Sequence, residues 1–437
     1  MTATALRSAR RAQPLASLAA QIHPGERRIV VLAGACYFLL LASFYILRPV
    51  RDTVATVLGT ARLQDLFTAT FIGSLIASPI YAALTSRMKL QRLLPGLFWF
   101  WLFNVLLFAL AFERAPDNRW LAGGYYVWFS VVNLFMISLF WSLMVDVFSA
   151  AQATRLFALI AGVGEFGAIA GPLLTRLLAG RLGLGGLLLL AAAALLLVIG
   201  LIYLLMRAKQ RLRDSGRQAQ QSTLDHGLPG NPFEGFGELF RSAYARRQAA
   251  FILLMTWVNT VAYFFQTDLV ARNFSAVAGR VQAIADIDLV VNLCTAVVLI
   301  LGLGTLLQRF GVTTGLILNP AIMVLAFLGL ALSPSLLMIQ ALQVVRRVAQ
   351  YAIARPSREI CFTVVEQSSR YKAKNVIDIV VYRFGDLGSA WMQTGLRAAG
   401  FGFSAAIALG VGASVGWGVV AALLGRRYEQ LRAKVAH

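Results

Sequence analysis

Arg48 and Arg51 stand three residues apart in the run Tyr45-Ile46-Leu47-Arg48-Pro49-Val50-Arg51-Asp52, so on a helix they share one face. Pro49 would loosen that helix and leave backbone groups in need of partners. A second cluster holds Asp146, Arg155 and Glu165, the last inside Ala161-Gly162-Val163-Gly164-Glu165-Phe166-Gly167, whose glycines permit close helix packing. A third is Asp268, followed by Asp286, Asp288 and Asn292; Asp288 and Asn292 share a face at i, i+4. The fourth is the richest. It runs from Arg346-Arg347 and Gln350-Tyr351 through Arg355, Arg358 and Glu359 to Lys372, Lys374, Asp378, Tyr382, Arg383 and Asp386. Arginine grips oxyanions bidentately and lysine is a compact charge. Cations of the first and fourth clusters, if they converge, would line a positive cavity suited to a polyanion. Tyr45, Tyr351, Tyr371, Tyr382, Phe264 and Phe265 could stack a base there. Each cluster also has a plainer reading. Arg51 and Asp52 could be solvated end charges, Arg155 a cytosolic anchor, Glu165 half of a structural ion pair, and 346–374 a topological stop signal.

Other chemistries find little support. His23, His226 and His437 fall in tails or a polar linker, and Cys36, Cys294 and Cys361 have no paired spacing. No metal site, disulfide framework or cofactor is expected. Gly162-x-Gly164-x-x-Gly167 lies inside an apolar run, without the strand-then-helix setting of a dinucleotide site. An enzyme is therefore not expected.

The elements that must position these charges follow from composition. Of 437 residues, 59% are hydrophobic and only 14% charged, against roughly 45–50% and 25% in soluble domains. About 20 apolar residues span a bilayer. Twelve stretches qualify: 29–50, 63–85, 93–112, 121–147, 157–179, 183–206, 249–271, 284–307, 313–333, 335–354, 376–398 and 401–424. The stretches at 335–354 and 376–398 carry charge, which suggests that they line a cavity. With the N-terminus inside, the inner segments hold 29 Lys and Arg and the outer ones 10, with Arg383 within a span. That bias places both termini in the cytoplasm. The net charge of +21 thus reflects threading, and a nucleic-acid partner is not expected. The Arg-rich start lacks an apolar core, so it reads as a basic cytosolic tail and not as a cleaved signal.

Six spans, a polar segment and six more spans predict an all-α membrane protein of two six-helix halves. The expected organisation is a tail over 1–28, a half over 29–206, a linker over 207–248, a half over 249–424 and a tail over 425–437. Weak internal likeness supports duplication: Phe166-Gly167 and Phe384-Gly385 are 218 residues apart, and Arg87 and Arg309 are 222 apart. A duplicated six-plus-six plan is the architecture of major facilitator carriers, with substrate bound between the halves.

Motifs refine this. YILRPVRDT resembles the first-span signature of the nucleotide transporter family typified by ATP/ADP translocases. FWSLMVD followed by QATRLFALIAGVGEFGAIAG is similar to its fourth and fifth spans, and RYKAKNVID to its Lys-rich stretch before span 11. The resemblance implies antiport of ATP, ADP or related nucleotides, by a free-living bacterial branch of the family in an inner membrane. Carried over by motif, it implies substrate contacts at Arg48, Arg51, Asp146, Asp268, Lys372 and Lys374. The residues themselves add Arg155, Glu165, Arg355, Arg358, Asp378 and Arg383 as candidates. The expected partners are an anionic small molecule and the lipid bilayer, with the carrier a monomer. Two rival readings remain: a proton-coupled carrier of another organic anion or drug, and a non-transporting protein that binds anionic lipid or a partner.

Overall fold

The computed structural model describes residues 22–435, apart from 24, 89, 215–233, 302, 365–373 and 375. Among these residues the regular structure is helical throughout. In the first part of the chain lie α1 (Arg27–Leu58), α2 (Leu63–Arg87), α3 (Leu90–Arg114), α4 (Arg119–Val147) and α5 (Ala150–Asp214). A short α6 (Glu234–Arg241) leads into α7 (Ala243–Asn273), α8 (Val277–Leu301) and α9 (Leu303–Leu332). Then come α10 (Leu336–Ala349), a π-turn (Gln350–Ala354) and α11 (Arg355–Cys361). A second π-turn (Ile377–Val381), α12 (Tyr382–Ala398) and α13 (Phe403–Val435) complete the fold.

Nine helices among the described residues are long and apolar enough to cross a membrane. One of them, α5, is 65 residues long and turns at Gly183, whose φ of 63° is open to glycine at little cost. That turn falls at the first residue of the stretch expected at 183–206, just after the one expected at 157–179. Gly311 (φ 79°) likewise turns α9 near its start, between the stretches expected at 284–307 and 313–333. Charge keeps α10 and α12 from reading as lipid-facing spans. Only 14 and 17 residues long, they abut π-turns beside Gln350 and Tyr382.

α1 continues through Pro49 to Leu58, so Arg48, Arg51 and Asp52 lie well inside it. Of the expected linker 207–248, the described parts are the end of α5, α6 and the start of α7. Residues 1–21, in the expected tail, lie outside the described residues.

Close packing within each group of helices rests on glycine. A Cβ on Gly167 would clash with the backbone carbonyl of Phe38, and one on Gly171 would sit 2.6 Å from the Ala42 carbonyl oxygen. Small residues at such crossings let backbones approach, which is how helices gain attraction where lipid removes the hydrophobic drive. The second group repeats the device. A Cβ on Gly385 of α12 would clash with the Thr256 hydroxyl of α7. Gly167 and Gly385 are 218 residues apart, and so are their partners Phe38 and Thr256. The faint Phe-Gly repeat therefore marks one helix crossing built twice. Buried apolar residues form two clusters. One is drawn mainly from α1–α5, the other from α6–α13. Between them runs a seam where α1 meets α7 and α8, α2 meets α12, and α5 meets α8.

Candidate functional site

The middle of the seam is charged. Arg48 of α1 reaches the Asp288 carboxylate of α8 across the seam at 3.7 Å. Arg347 of α10 donates to the same Asp288 oxygen, so two guanidiniums share one carboxylate. One turn along α1, Arg51 donates through Nε to Asp52 Oδ1 at 2.8 Å, and the Tyr263 hydroxyl of α7 donates to the same atom at 3.1 Å. Tyr126 and Phe129 of α4 present ring faces to Arg51 at 5.5 and 5.8 Å. Arg383 of α12 donates to the Ser130 carbonyl of α4 at 2.8 Å and lies 3.7 Å from Asp386, which accepts from Thr260 at 3.1 Å. Five arginines and three aspartates thus meet between two groups of helices (Arg346 is the fifth). Capacity is left over: Asp52 Oδ2, Asp288 Oδ2, Arg347 Nε and Arg383 Nε are buried with no protein partner. Charges placed so deep in a spanning bundle mark a pathway or a binding site.

Arg346 is bound differently from the other four. Its Nε and Nη2 donate to Gln343 Oε1 at 3.1 and 2.7 Å, and its Nη1 donates to Asn259 Oδ1 at 2.6 Å and Gln350 Oε1 at 3.1 Å. Gln343 in turn donates to the Ala262 carbonyl at 3.2 Å, and Asn259 to Gln350 at 3.4 Å. Tyr351, Tyr382, Arg48 and Arg347 lie within electrostatic reach of this guanidinium. The π-turn that begins at Gln350 widens the helix beside it, a distortion that collects at functional sites.

The expected site residues divide among several places. Arg48, Arg51 and Arg383 reach the seam, and half-buried Glu165 lies within electrostatic reach of Tyr37 and Tyr45. Asp146 does not reach the seam: at the end of α4 it takes the Lys209 ammonium of α5, beside Leu94, Leu143 and Met206. Arg155 is held by Glu26 at 3.0 Å, and Asp268 by Arg272 one turn on at 2.8 Å. Arg358 donates to Asp378 and Lys374 to Glu359, with both cations near the Phe362 ring, while Arg355 is exposed. Lys372 and the Tyr371 proposed to stack a base lie outside the described residues. Arg346 and Arg347, counted among inner-segment cations by their position along the chain, are instead buried at the seam. Their spacing to Gln343 and Gln350 at i, i±3 and i+4 was the available signal. Among the described residues, no cluster of His, Cys, Asp and Glu could hold a metal ion.

One end of the seam is closed by neutral acceptors. Arg397 donates to the Thr60 hydroxyl at 2.6 Å, Thr394 to Gln64 at 3.1 Å and Trp391 to Thr68 at 3.0 Å. Arg280 donates to the Thr56 carbonyl at 3.1 Å, and Phe67 stacks on Phe264 at 6.4 Å. Arg176 and Asp286 add an exposed ion pair at 3.0 Å. At the opposite end Glu26 gathers hydrogen bonds. Burial alone would raise its pKa, but donation from Gln152, the His23 amide and Arg155, with the Arg155 charge, outweighs burial and holds the carboxyl below its ordinary range.

The Major Facilitator Superfamily signature matches residues 33–350, and the chain belongs to that family. It is a multi-pass membrane transporter and not an enzyme. Solved structures show the same fold. A bacterial homologue of the human lysosomal transporter Spinster, inward-facing and unoccupied, has a TM-score of 0.57 at 16% identity, over 94% of this chain and 97% of that one. A bacterial homologue of the iron transporter ferroportin, inward-facing, has a TM-score of 0.65 at 12% identity, over 91% and 98%. The nucleoside transporter NupG has a TM-score of 0.58 at 12% identity, over 92% and 98%. No curated protein sequence matches the chain.

Proposed function

We propose that this carrier exchanges nucleotides of the ATP/ADP type across a bacterial inner membrane by alternating access, with twelve spans and both termini cytoplasmic. The observation that carries the reading is the charge at the seam: among the described residues, Arg48, Arg51, Arg346, Arg347 and Arg383 meet three carboxylates there, Asp52, Asp288 and Asp386. That group is two cations richer than its acids, and a polyanion would balance it. The YILRPVRDT and RYKAKNVID runs supply the likeness to nucleotide carriers. In this reading Arg48 and Arg51 contact phosphates, and Lys372 and Lys374 meet the anion at the cytoplasmic mouth. The closed end at Thr60, Gln64 and Thr68 is then the outer end, so the conformation is inward-facing, like those of the Spinster and ferroportin homologues.

The test is uptake of labelled ATP into ADP-loaded proteoliposomes, competed by unlabelled nucleotides, phosphate and organic anions. Competition by ATP and ADP, together with dependence on the internal nucleotide, is expected. Uptake that instead follows a pH gradient and ignores internal nucleotide would replace this reading with a proton-coupled carrier.

A further inference from the structure

We propose that Arg346 is the primary anchor for the oxyanion of the substrate, kept free of any carboxylate by a cradle of three amides. The inference rests on the reading above that the cargo is an anion. Within the seam, Arg48 and Arg347 have Asp288, Arg51 has Asp52 and Arg383 has Asp386. Arg346 has no carboxylate at ion-pair distance among the described residues. Its partners are the amide oxygens of Gln343, Asn259 and Gln350. Yet it is only 7% exposed. A buried charge with no counter-ion is unfavourable, and neutral dipoles offset only part of that. A fold that served stability alone would have paired this cation or replaced it with an apolar residue.

The cradle also aims it. A guanidinium has five N–H groups in a rigid fork. Four are taken, two by Gln343 and one each by Asn259 and Gln350. One Nη2 hydrogen remains for a ligand. Gln343 and Asn259 spend amide hydrogens on the Ala262 carbonyl and on Gln350, which fixes their oxygens toward the arginine. The chain of donors ends at the Gln350 amide, beside the half-buried Tyr351 and Tyr382. An oxyanion meeting Arg346 would find those donors at hand, with Arg48 and Arg347 completing a positive rim. Neutral acceptors orient the guanidinium without competing for its charge, so the ligand has no protein carboxylate to displace. Phosphoryl and carboxylate groups share this chemistry, and the cargo proposed above points to the phosphoryl group.

The experiment measures Kd for ATP, ADP, inorganic phosphate and succinate on the full chain in nanodiscs, with ATP/ADP exchange in proteoliposomes alongside. The variants are R346Q, R346K and N259A. The expected result is about a hundredfold weaker anion binding in R346Q and a smaller loss in R346K, which keeps the charge but not the fork. N259A keeps the cation but loosens its aim, so KM should rise about tenfold with the maximal rate retained. If R346Q failed to fold, R346K and N259A carry the same test. Parental Kd and KM in every folded variant, while the parent exchanges ATP, would overturn the Arg346 assignment and leave nucleotide exchange standing. Succinate binding without ATP binding, lost in R346Q, would overturn nucleotide exchange and support Arg346. A parent that binds none of the four anions overturns both.

Discussion

The two ends of the seam both carry cations, and they use them in opposite ways. At the end near Leu58, Arg280 and Arg397 of the second group donate across the seam to a carbonyl and a hydroxyl of the first. At the other end, Arg155, Lys209, Arg358 and Lys374 pair with acids of their own group: Glu26, Asp146, Asp378 and Glu359. A hydrogen bond between helices in a membrane contributes about 0.6 kcal/mol, so each cross-seam bond is easily exchanged. The exposed Arg176–Asp286 pair is worth as little, because water screens it. The ion pairs at the other end instead join elements within one group. The contrast suits a machine of two stiff bodies that part at one end while each keeps its own shape.

Removing Asp288 should have the largest effect. Asp288→Asn would leave two guanidiniums around a neutral amide and should cost about 3–5 kcal/mol. The melting temperature in detergent checks this, and adding Arg347→Met should restore part of the loss. An unchanged melting temperature would mean that the middle of the seam does not join the two groups. Next come the glycine crossings. Gly167→Val presses on a backbone carbonyl that has nowhere to go, whereas Gly385→Val presses on a threonine side chain. Overpacking costs of about 1–3 kcal/mol are expected, larger at Gly167 than at Gly385. Equal losses would break the idea that the crossing is tighter in the first group.

Smaller still is the closed end. Thr60→Ala or Thr68→Ala should each cost about 0.6 kcal/mol. Either should lower the disulfide yield of a Gln64→Cys/Thr394→Cys pair made on a background lacking Cys36, Cys294 and Cys361. High yield in the parent and an undiminished yield in both alanine variants would show that these hydrogen bonds do not hold the end shut. The smallest effect belongs to Glu26. Its folded pKa is depressed, so its contribution is full above the unfolded carboxyl pKa of about 4.3 and fades as pH falls through the lower folded value. E26Q should therefore melt slightly below the parent at pH 7, by less than about 1 kcal/mol, and converge with it in acid.

Much of this was legible along the chain, but unevenly. Helix positions follow from apolar runs, and Gly183 and Gly311 turn the chain where the runs break. The Phe-Gly repeat, too weak to stand alone, proves to be a matched pair of crossings. Arg48, Arg51 and Arg383 were visible because charge in an apolar run is conspicuous. Arg346 and Arg347 were visible as the start of the fourth cluster but not singled out as site residues, because they stand at the end of a run rich in further cations, where threading already accounts for basic residues. Asp146, Arg155 and Asp268 stood out on the same logic as Arg48, yet each has a cation or an acid close at hand and none meets the centre.

The sequence by itself determined that the chain lives in a bilayer, where its helices lie and which glycines draw them together. Those properties are local: hydropathy, φ freedom and side-chain size act on residues within a few turns. The tertiary structure alone decided which charges are partners. Arg48 and Asp288 are 240 residues apart, Asn259 and Arg346 are 87 apart, and nothing in their near neighbours names the other. A buried cation is defined by what the fold brings to it. Among the described residues of this seam, the fold brought carboxylates to four arginines and only amides to the fifth.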